Sequence, residues 1–486
     1  MSSRKSADRA AYAAENCRLD HPIHANRAAS DPRTNHARDS HFIGNANPRG
    51  VVLLFCCILA LMAAASTPSR SSARAPRARQ AGAAAGANAG IASDPRVAKA
   101  MQLIAQSADA TTDEQARITE IPAPPFGEST RAAYMAKLLT ASGLRVHMDS
   151  VGNVIGERAS GAGSGDNKVV LVTAHLDTVF PAGTNVTVRR EGARLLAPGI
   201  SDNGSGLATL IAVARAIRDA NVSTRETILL VADVGEEGEG NLRGVRALVQ
   251  EYRDRLGAVI ALDGAATDYV ATSALPSRRF DVIVTGPGGH SWSDFGVPNP
   301  IHALGRAITK LADTQVPTDP RTTFNVGRIE GGTSVNAIPE RASMSIDLRS
   351  ESATELAHLE RELRADVAAG VADEMAAARA RGMAAQPLNV EINLVGSRPG
   401  GELPENSPLL AALDAADRAV GNTSRHERVS TDANIPLSLG IPAISIGCGG
   451  TAGGAHTVEE WFDPTGRAMG LQRVLLTIIG AAGLAP

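Results

Sequence analysis

Three short runs constrain this chain more than any other feature. Residues 169–173 (Val-Val-Leu-Val-Thr), 227–232 (Thr-Ile-Leu-Leu-Val-Ala) and 258–262 (Ala-Val-Ile-Ala-Leu) are apolar at nearly every position. A strand with one wet face alternates apolar and polar residues, whereas a strand that is apolar throughout has both faces covered. Stretches with helical spacing, 206–220 and 244–252, separate the runs. The alternation predicts an α/β fold, a largely parallel sheet sandwiched by helices. A helical segment from Asp94-Pro95 to about 120, a helix over 130–142 and a strand over 145–151 precede it. A helix at 408–420, a buried strand at 443–446 and a last helix from about 465 follow. Pro95 directly after Asp94 marks a helix start, because a proline there forfeits no hydrogen bond.

Around residue 278 the texture changes. Residues 280–285 alternate like a half-exposed strand, and a helix over 300–314 follows. Strands at 322–328 and 342–349, an Ala-rich helix over 353–381 and a strand at 388–395 complete the set. This strand–helix–strand–strand–helix–strand order predicts a small α+β, ferredoxin-like unit inserted into the larger layer. At 486 residues the chain is too long for one ordinary core. The expected division is a leader (1–92), a main domain in two parts (93–277 and 397–486) and the inserted domain (278–396).

The leader carries its own signal. Residues 1–50 are polar, and an apolar run, 51–65, sits behind Arg49. The run is short for a membrane span and suits the apolar core of a signal peptide. Ala63-Ala64-Ala65-Ser66 offers a cleavage point, and 70–90 is an Ala/Gly/Ser/Arg-rich linker. An exported protein, periplasmic or secreted, is expected, with a membrane-anchored or a cytoplasmic one as alternatives. Membrane contact is expected only if 51–65 stays uncleaved. A net charge of −3 and 3% aromatic residues argue against a nucleic-acid partner.

Cys17, Cys56, Cys57 and Cys448 show neither metal-ligand nor disulfide spacing, so any metal site is built from His, Asp and Glu. Such residues stand just beyond the apolar runs, where open α/β sheets bind ligands. His175-Leu176-Asp177 follows 169–173, Asp202-Asn203-Gly204 precedes the helix at 206, and Glu236-Glu237 follows 227–232. Asp263 follows 258–262, and His456 lies in a Gly-rich loop after 443–446. Singly each has a plainer role: Asp202 caps a helix, Asp263-Gly264 makes a turn, Glu236 and Glu237 are solvated. Together they converge on one sheet edge, where like charges repel unless cations neutralise them. Imidazole and carboxylate suit zinc.

These pieces resemble the co-catalytic di-zinc peptidase family of peptidase T, glutamate carboxypeptidase and the aminoacylases, over roughly residues 98–486. The run Gly238-Glu239-Gly240-Asn241-Leu242-Arg243-Gly244 is most similar to the peptidase-T branch. The resemblance implies two Zn2+ per chain, with Co2+ or Mn2+ able to take their place. His175 and Asp263 would hold one metal, Glu237 and His456 the other, with Asp202 bridging. Glu236 would be the general base, Asp177 the acceptor that orients the imidazole of His175, and Asp202-Asn203 a cis peptide. His290, in Gly288-Gly289-His290-Ser291, would reach the substrate carbonyl oxygen across a homodimer made by the inserted domain. Asn336 and Arg349 would grip a free substrate carboxylate. The implied activity is exopeptidase cleavage of small peptides. A deacylase of N-acyl amino acids is the alternative, and a non-catalytic peptide-binding protein the more distant one.

Overall fold

The structure, a computed structural model, describes residues 90–161, 167–382 and 386–486. The apolar run 51–65, its expected cleavage point and residues 70–89 of the linker lie outside the described residues. Among those described, no helix is long and apolar enough to cross a membrane.

Nine strands form the central sheet. Its middle is parallel, in the spatial order Thr227–Asp233, Val169–His175, Leu256–Leu262, Ala443–Ile446. Every residue of the first two strands is buried, as continuous apolar runs require. The flanks differ from the largely parallel expectation. Val154–Arg158 and Arg145–Met148 on one side, and Tyr269–Ala274 and Gly401–Glu402 on the other, pair antiparallel. Arg425–Val429 adds a parallel partner to Tyr269–Ala274. The sheet is therefore mixed. Strand direction at the edges depends on connections that apolar patterning does not encode.

Two further differences have local causes. The strand expected over 145–151 stops at Met148, because the Asp149 carboxylate collects the amides of Val151, Gly152 and Asn153 and turns the chain. The segment after Asp94 is two helices, Pro95–Gln106 and Ala108–Thr119. They break at Ser107, whose hydroxyl donates to the Ile104 carbonyl at 2.8 Å.

One hydrophobic cluster joins the sheet to its helices, with Leu207, Leu210 and Ile211 of Gly204–Asp219 and Leu475 and Ile478 of Arg467–Ala482 at its centre. Gly206 lets the first of these helices approach the sheet: a Cβ there would lie 2.5 Å from the Leu262 carbonyl oxygen.

Residues 277–398 build a second core around Phe280, Val282, Leu304, Ile346, Leu359 and Leu363. Four antiparallel strands lie in the order Thr322–Gly331, Arg341–Ser350, Ser277–Thr285, Asn389–Arg398. The half-exposed alternation is plain in Arg341–Ser350, where every second residue is buried. The helices Pro300–Ala312 and Ala353–Ala380 pack on each other and on this sheet. Gly370 permits a close approach between them: a Cβ there would stand 2.6 Å from the Ala307 nitrogen.

Candidate metal centre

His175 is the last residue of its strand, so pairing with Asp233 holds it rigidly. Its ring is 2% exposed. Nδ1 lies 3.0 Å from the main-chain oxygen of Asp177 and 3.7 Å from the carboxylate. The orienting acceptor is therefore the carbonyl of Asp177. A proton on Nδ1 leaves the Nε2 lone pair free to bind a metal. The Asp177 carboxylate, fully buried, instead accepts the amides of Glu236 (3.0 Å) and Glu237 (2.9 Å). It ties the two strand-end loops together.

Asp202 precedes the helix Gly204–Asp219 but does not cap it. Asn203 does, its side chain accepting from the Gly206 amide at 3.0 Å. That leaves the Asp202 carboxylate for other work. The Asp202-Asn203 peptide is cis. Oδ1 of Asp202 lies 3.0 Å from His175 Nε2, and Oδ2 lies 3.2 Å from His456 Nε2. His456 Nε2 is also 3.0 Å from Glu237 Oε1. Glu460 holds the loop from behind, its two oxygens accepting the amides of Gly199, Ser201 and Asp202 at 2.8–2.9 Å. Arg131, wholly buried, donates to the carbonyls of Thr119, Ile121 and Leu176.

The electrostatics are those of a site short of positive charge. Burial, then the charge of Asp202, pushes Glu237 up to about 7 and Asp263 up to about 8. Burial alone would raise Asp202, but the imidazoles of His175 and His456 beside it hold it below its ordinary value. Hydrogen bonds to Asp202 and Glu237 push His456 up to about 10. Burial opposes a charge on His175, yet Asp202 raises it well above its ordinary value. Protons on imidazoles thus do what a cation does better. A direct test of fit is Asp202 Oδ1. It is buried and has no hydrogen-bond partner among the described residues, because its approach to His175 lacks hydrogen-bond geometry. Ligand atoms of His175, Asp202 and Glu237 all lie within 4.8 Å of one another, so this group could hold a metal ion. Asp263 stands outside that trio, its amide bonded to the Ile446 carbonyl at 3.0 Å.

The remaining expected residues sit in the inserted unit. His290 and Asn336 are neighbours: Gly289–His290 pairs with Ala337–Ile338, and the Ser291 amide donates to the Asn336 carbonyl. Arg349 lies on Arg341–Ser350 with its Nε 2.6 Å from Asp347. No hydrogen bond or ion pair among the described residues joins these three to the metal-binding group.

Glu236 is 5% exposed, and Arg398 holds it. Nη1 of Arg398 donates to Glu236 Oε1 at 2.8 Å, and Nη2 donates to the Glu236 carbonyl. Sequence reasoning missed Arg398, Arg131, Glu460 and a buried acidic pair, Asp233 and Asp432. Only Arg131 had a signal, since it shares the four-residue spacing of Met135 and Leu139 on the buried face of its helix.

Known proteins agree with this picture. The model of "Peptidase family M20/M25/M40" matches residues 171–479. The chain is 30% identical over 291 residues to the Mycobacterium tuberculosis protein assigned as succinyl-diaminopimelate desuccinylase DapE, covering 58% of this chain and 74% of that protein. The fold is similar to that of aminopeptidase PepT from Bacillus cereus (TM-score 0.58, 21% identity, 77% of this chain and 99% of that one). It is also similar to human carnosine dipeptidase 1 (TM-score 0.63, 13% identity, 79% and 99%). The family match takes in both parts of the central sheet and the inserted unit between them, and the chain belongs to peptidase family M20/M25/M40, a hydrolase acting on peptide or amide bonds.

Proposed function

We propose that this chain is a zinc-dependent exopeptidase of small peptides with Glu236 as general base. The observation that carries the reading is Asp202, whose two oxygens face one histidine each while Glu237 meets the second of them. His175 and Asp263 would hold one zinc and Glu237 and His456 the other, with Asp202 available to both. Cobalt or manganese suits the same donors. Bound zinc supplies Lewis acidity, lowering the pKa of a water and polarising the scissile carbonyl. Glu236 takes the proton of the attacking water and returns it to the leaving amine. Asp177 fixes the amides on either side of that step. Asn336 and Arg349 hold the substrate's free carboxylate, which suits the planar fork of arginine. His290, from the second copy in a homodimer formed by the inserted unit, donates to the carbonyl oxygen as charge develops there. Export by way of residues 51–65 places this activity outside the cytoplasm.

A second reading, an N-acyl-amino-acid amidohydrolase, is favoured by the identity to a protein assigned as a desuccinylase. One experiment separates the two. Metal content and hydrolysis are measured on the purified chain with di- and tripeptides and N-acyl amino acids, with and without chelator. Two metals per chain, chelator-sensitive turnover and faster cleavage of peptides are expected. Faster cleavage of N-acyl amino acids selects the second reading, and absence of bound metal overturns both. Glu236→Gln is expected to keep its metals and lose about 1,000-fold or more in kcat, roughly 4 kcal/mol. Wild-type turnover in that variant would remove Glu236 as the base.

A further inference from the structure

The loop 236–241 carries the candidate base and a candidate ligand, and residues of the inserted unit grip it at several points. Arg279, on Ser277–Thr285, donates to the Gly238 carbonyl. The Ser397 amide donates to Asn241 Oδ1 at 3.0 Å. Arg246 closes the circuit by donating to the Ser397 carbonyl. Asn241 and Leu242 both have positive φ, 51° and 61°, so the loop takes a conformation that these side chains rarely adopt unaided. Arg398 completes the set. It is the last residue of Asn389–Arg398, the strand by which the chain leaves the inserted unit. It reaches Glu236 at both ends of the residue, the carboxylate and the main-chain carbonyl. Its Nη1 also donates to Ser430 Oγ at 3.2 Å, so the guanidinium is itself held.

We propose that Arg398 is the positioning residue for Glu236: it fixes the base for proton transfer and makes that placement depend on how the inserted unit docks. This rests on the reading of Glu236 as the base. A glutamate has three rotatable bonds, and beside Glu237 and Asp177 it meets like charge on two sides. A buried carboxylate so placed needs a cation and a fixed direction. The planar fork sets its donors in fixed, separate directions, Nη1 to the carboxylate and Nη2 to the carbonyl, whereas a lysine offers its donors from a single atom on a flexible stem and does not reproduce that geometry. Both side chains are nearly closed to solvent, 5% for Arg398 and 7% for Glu236, so water does not screen the pair. A general base displaced by about 1 Å can cost on the order of 100-fold in rate.

The test is a double-mutant cycle on the zinc-loaded chain, with kcat, KM and metal content read for each variant. Arg398→Ala is expected to lower kcat by about 10- to 100-fold, with KM within about 3-fold and both metals kept. Arg398→Lys guards against misfolding, since it keeps the charge; its kcat is expected to fall between the two. In the Glu236→Gln background, Arg398→Lys is expected to cost nothing further, because the group it positions is gone. A wild-type kcat in Arg398→Lys and Arg398→Ala would overturn the proposal. So would an equal loss from Arg398→Lys with and without Glu236, which makes Arg398 a prop of the fold. Full activity in Glu236→Gln alone is a separate result: it removes the base, and the positioning role with it.

Discussion

The central layer buries several charged side chains outright, while the inserted unit leaves most of its own on the rim. Arg131, Asp177, Asp233, Asp432, Glu460 and Arg473 are each 2% exposed or less, and all lie in or beside the sheet. The inserted unit buries Glu374, between Arg306 and Arg381, and Arg398, which faces the central layer; its other pairs are partly or fully open, such as Lys310 with Asp373. Exposed pairs of that kind contribute little to stability. Buried ones cost much to desolvate and are intolerant of losing a partner. The difference shows what the buried ions do. Arg131, Asp177 and Glu460 brace the loops at the strand ends, where the proposed metal ligands sit, while the rim charges stay in reach of solvent. Arg131 is the sharpest probe of this contrast. Arg131→Met strands three buried carbonyls, each worth about 1–3 kcal/mol. Loss of about 3 kcal/mol or more in denaturant unfolding, together with weakened metal retention, is expected. An unchanged midpoint would mean that the brace lies elsewhere.

Arg349 probes the other side. It is 38% exposed and pairs with Asp347, which also pairs with Arg279. Arg349→Ala is expected to leave thermal unfolding unchanged and to raise KM about 10-fold, some 1.4 kcal/mol, for substrates with a free carboxylate. The same rise with a C-terminally amidated peptide would show that Arg349 does not read the carboxylate.

The same contrast governs what could be read in advance. Val169–His175 and Thr227–Asp233 were legible because double-sided burial leaves an unbroken apolar signature. Val154–Arg158 and Arg425–Val429 escaped, since they carry Gly, Glu, Arg and His and declare themselves only by pairing. The trio His175, Asp202 and Glu237 was legible as polar residues beside apolar runs whose like charges call for cations, and the resemblance added which residue would hold which metal. His175 proved to lie within its strand, because pairing continues past the last apolar residue. Arg398 and Glu236 are separated by 162 positions, and Glu460 and Asp202 by 258. Contacts of that span leave no local pattern. A buried arginine written as Ser-Arg-Pro reads like any surface turn.

Asp432 tests the buried side more gently, because it is an ion that the fold keeps uncharged. Burial, and then the neighbouring Asp233, raise its carboxyl well above the ordinary value of 3.8, while burial pushes Asp233 up to about 7. Below 3.8 the Asp432 carboxyl is neutral both folded and unfolded, so burial carries no ionisation penalty. As pH rises the unfolded chain releases the proton and the folded chain does not. The wild type therefore loses stability steadily through and above that value, until the folded carboxyl itself ionises. Asparagine keeps the shape and cannot ionise. Asp432→Asn is thus expected to gain on the wild type between pH 5 and pH 7, by about 1–3 °C in Tm. A gap that is constant across this range would mean that Asp432 is already ionised in the folded protein, with Arg398 as its counter-charge, and that the central layer stores true ions even behind its catalytic edge.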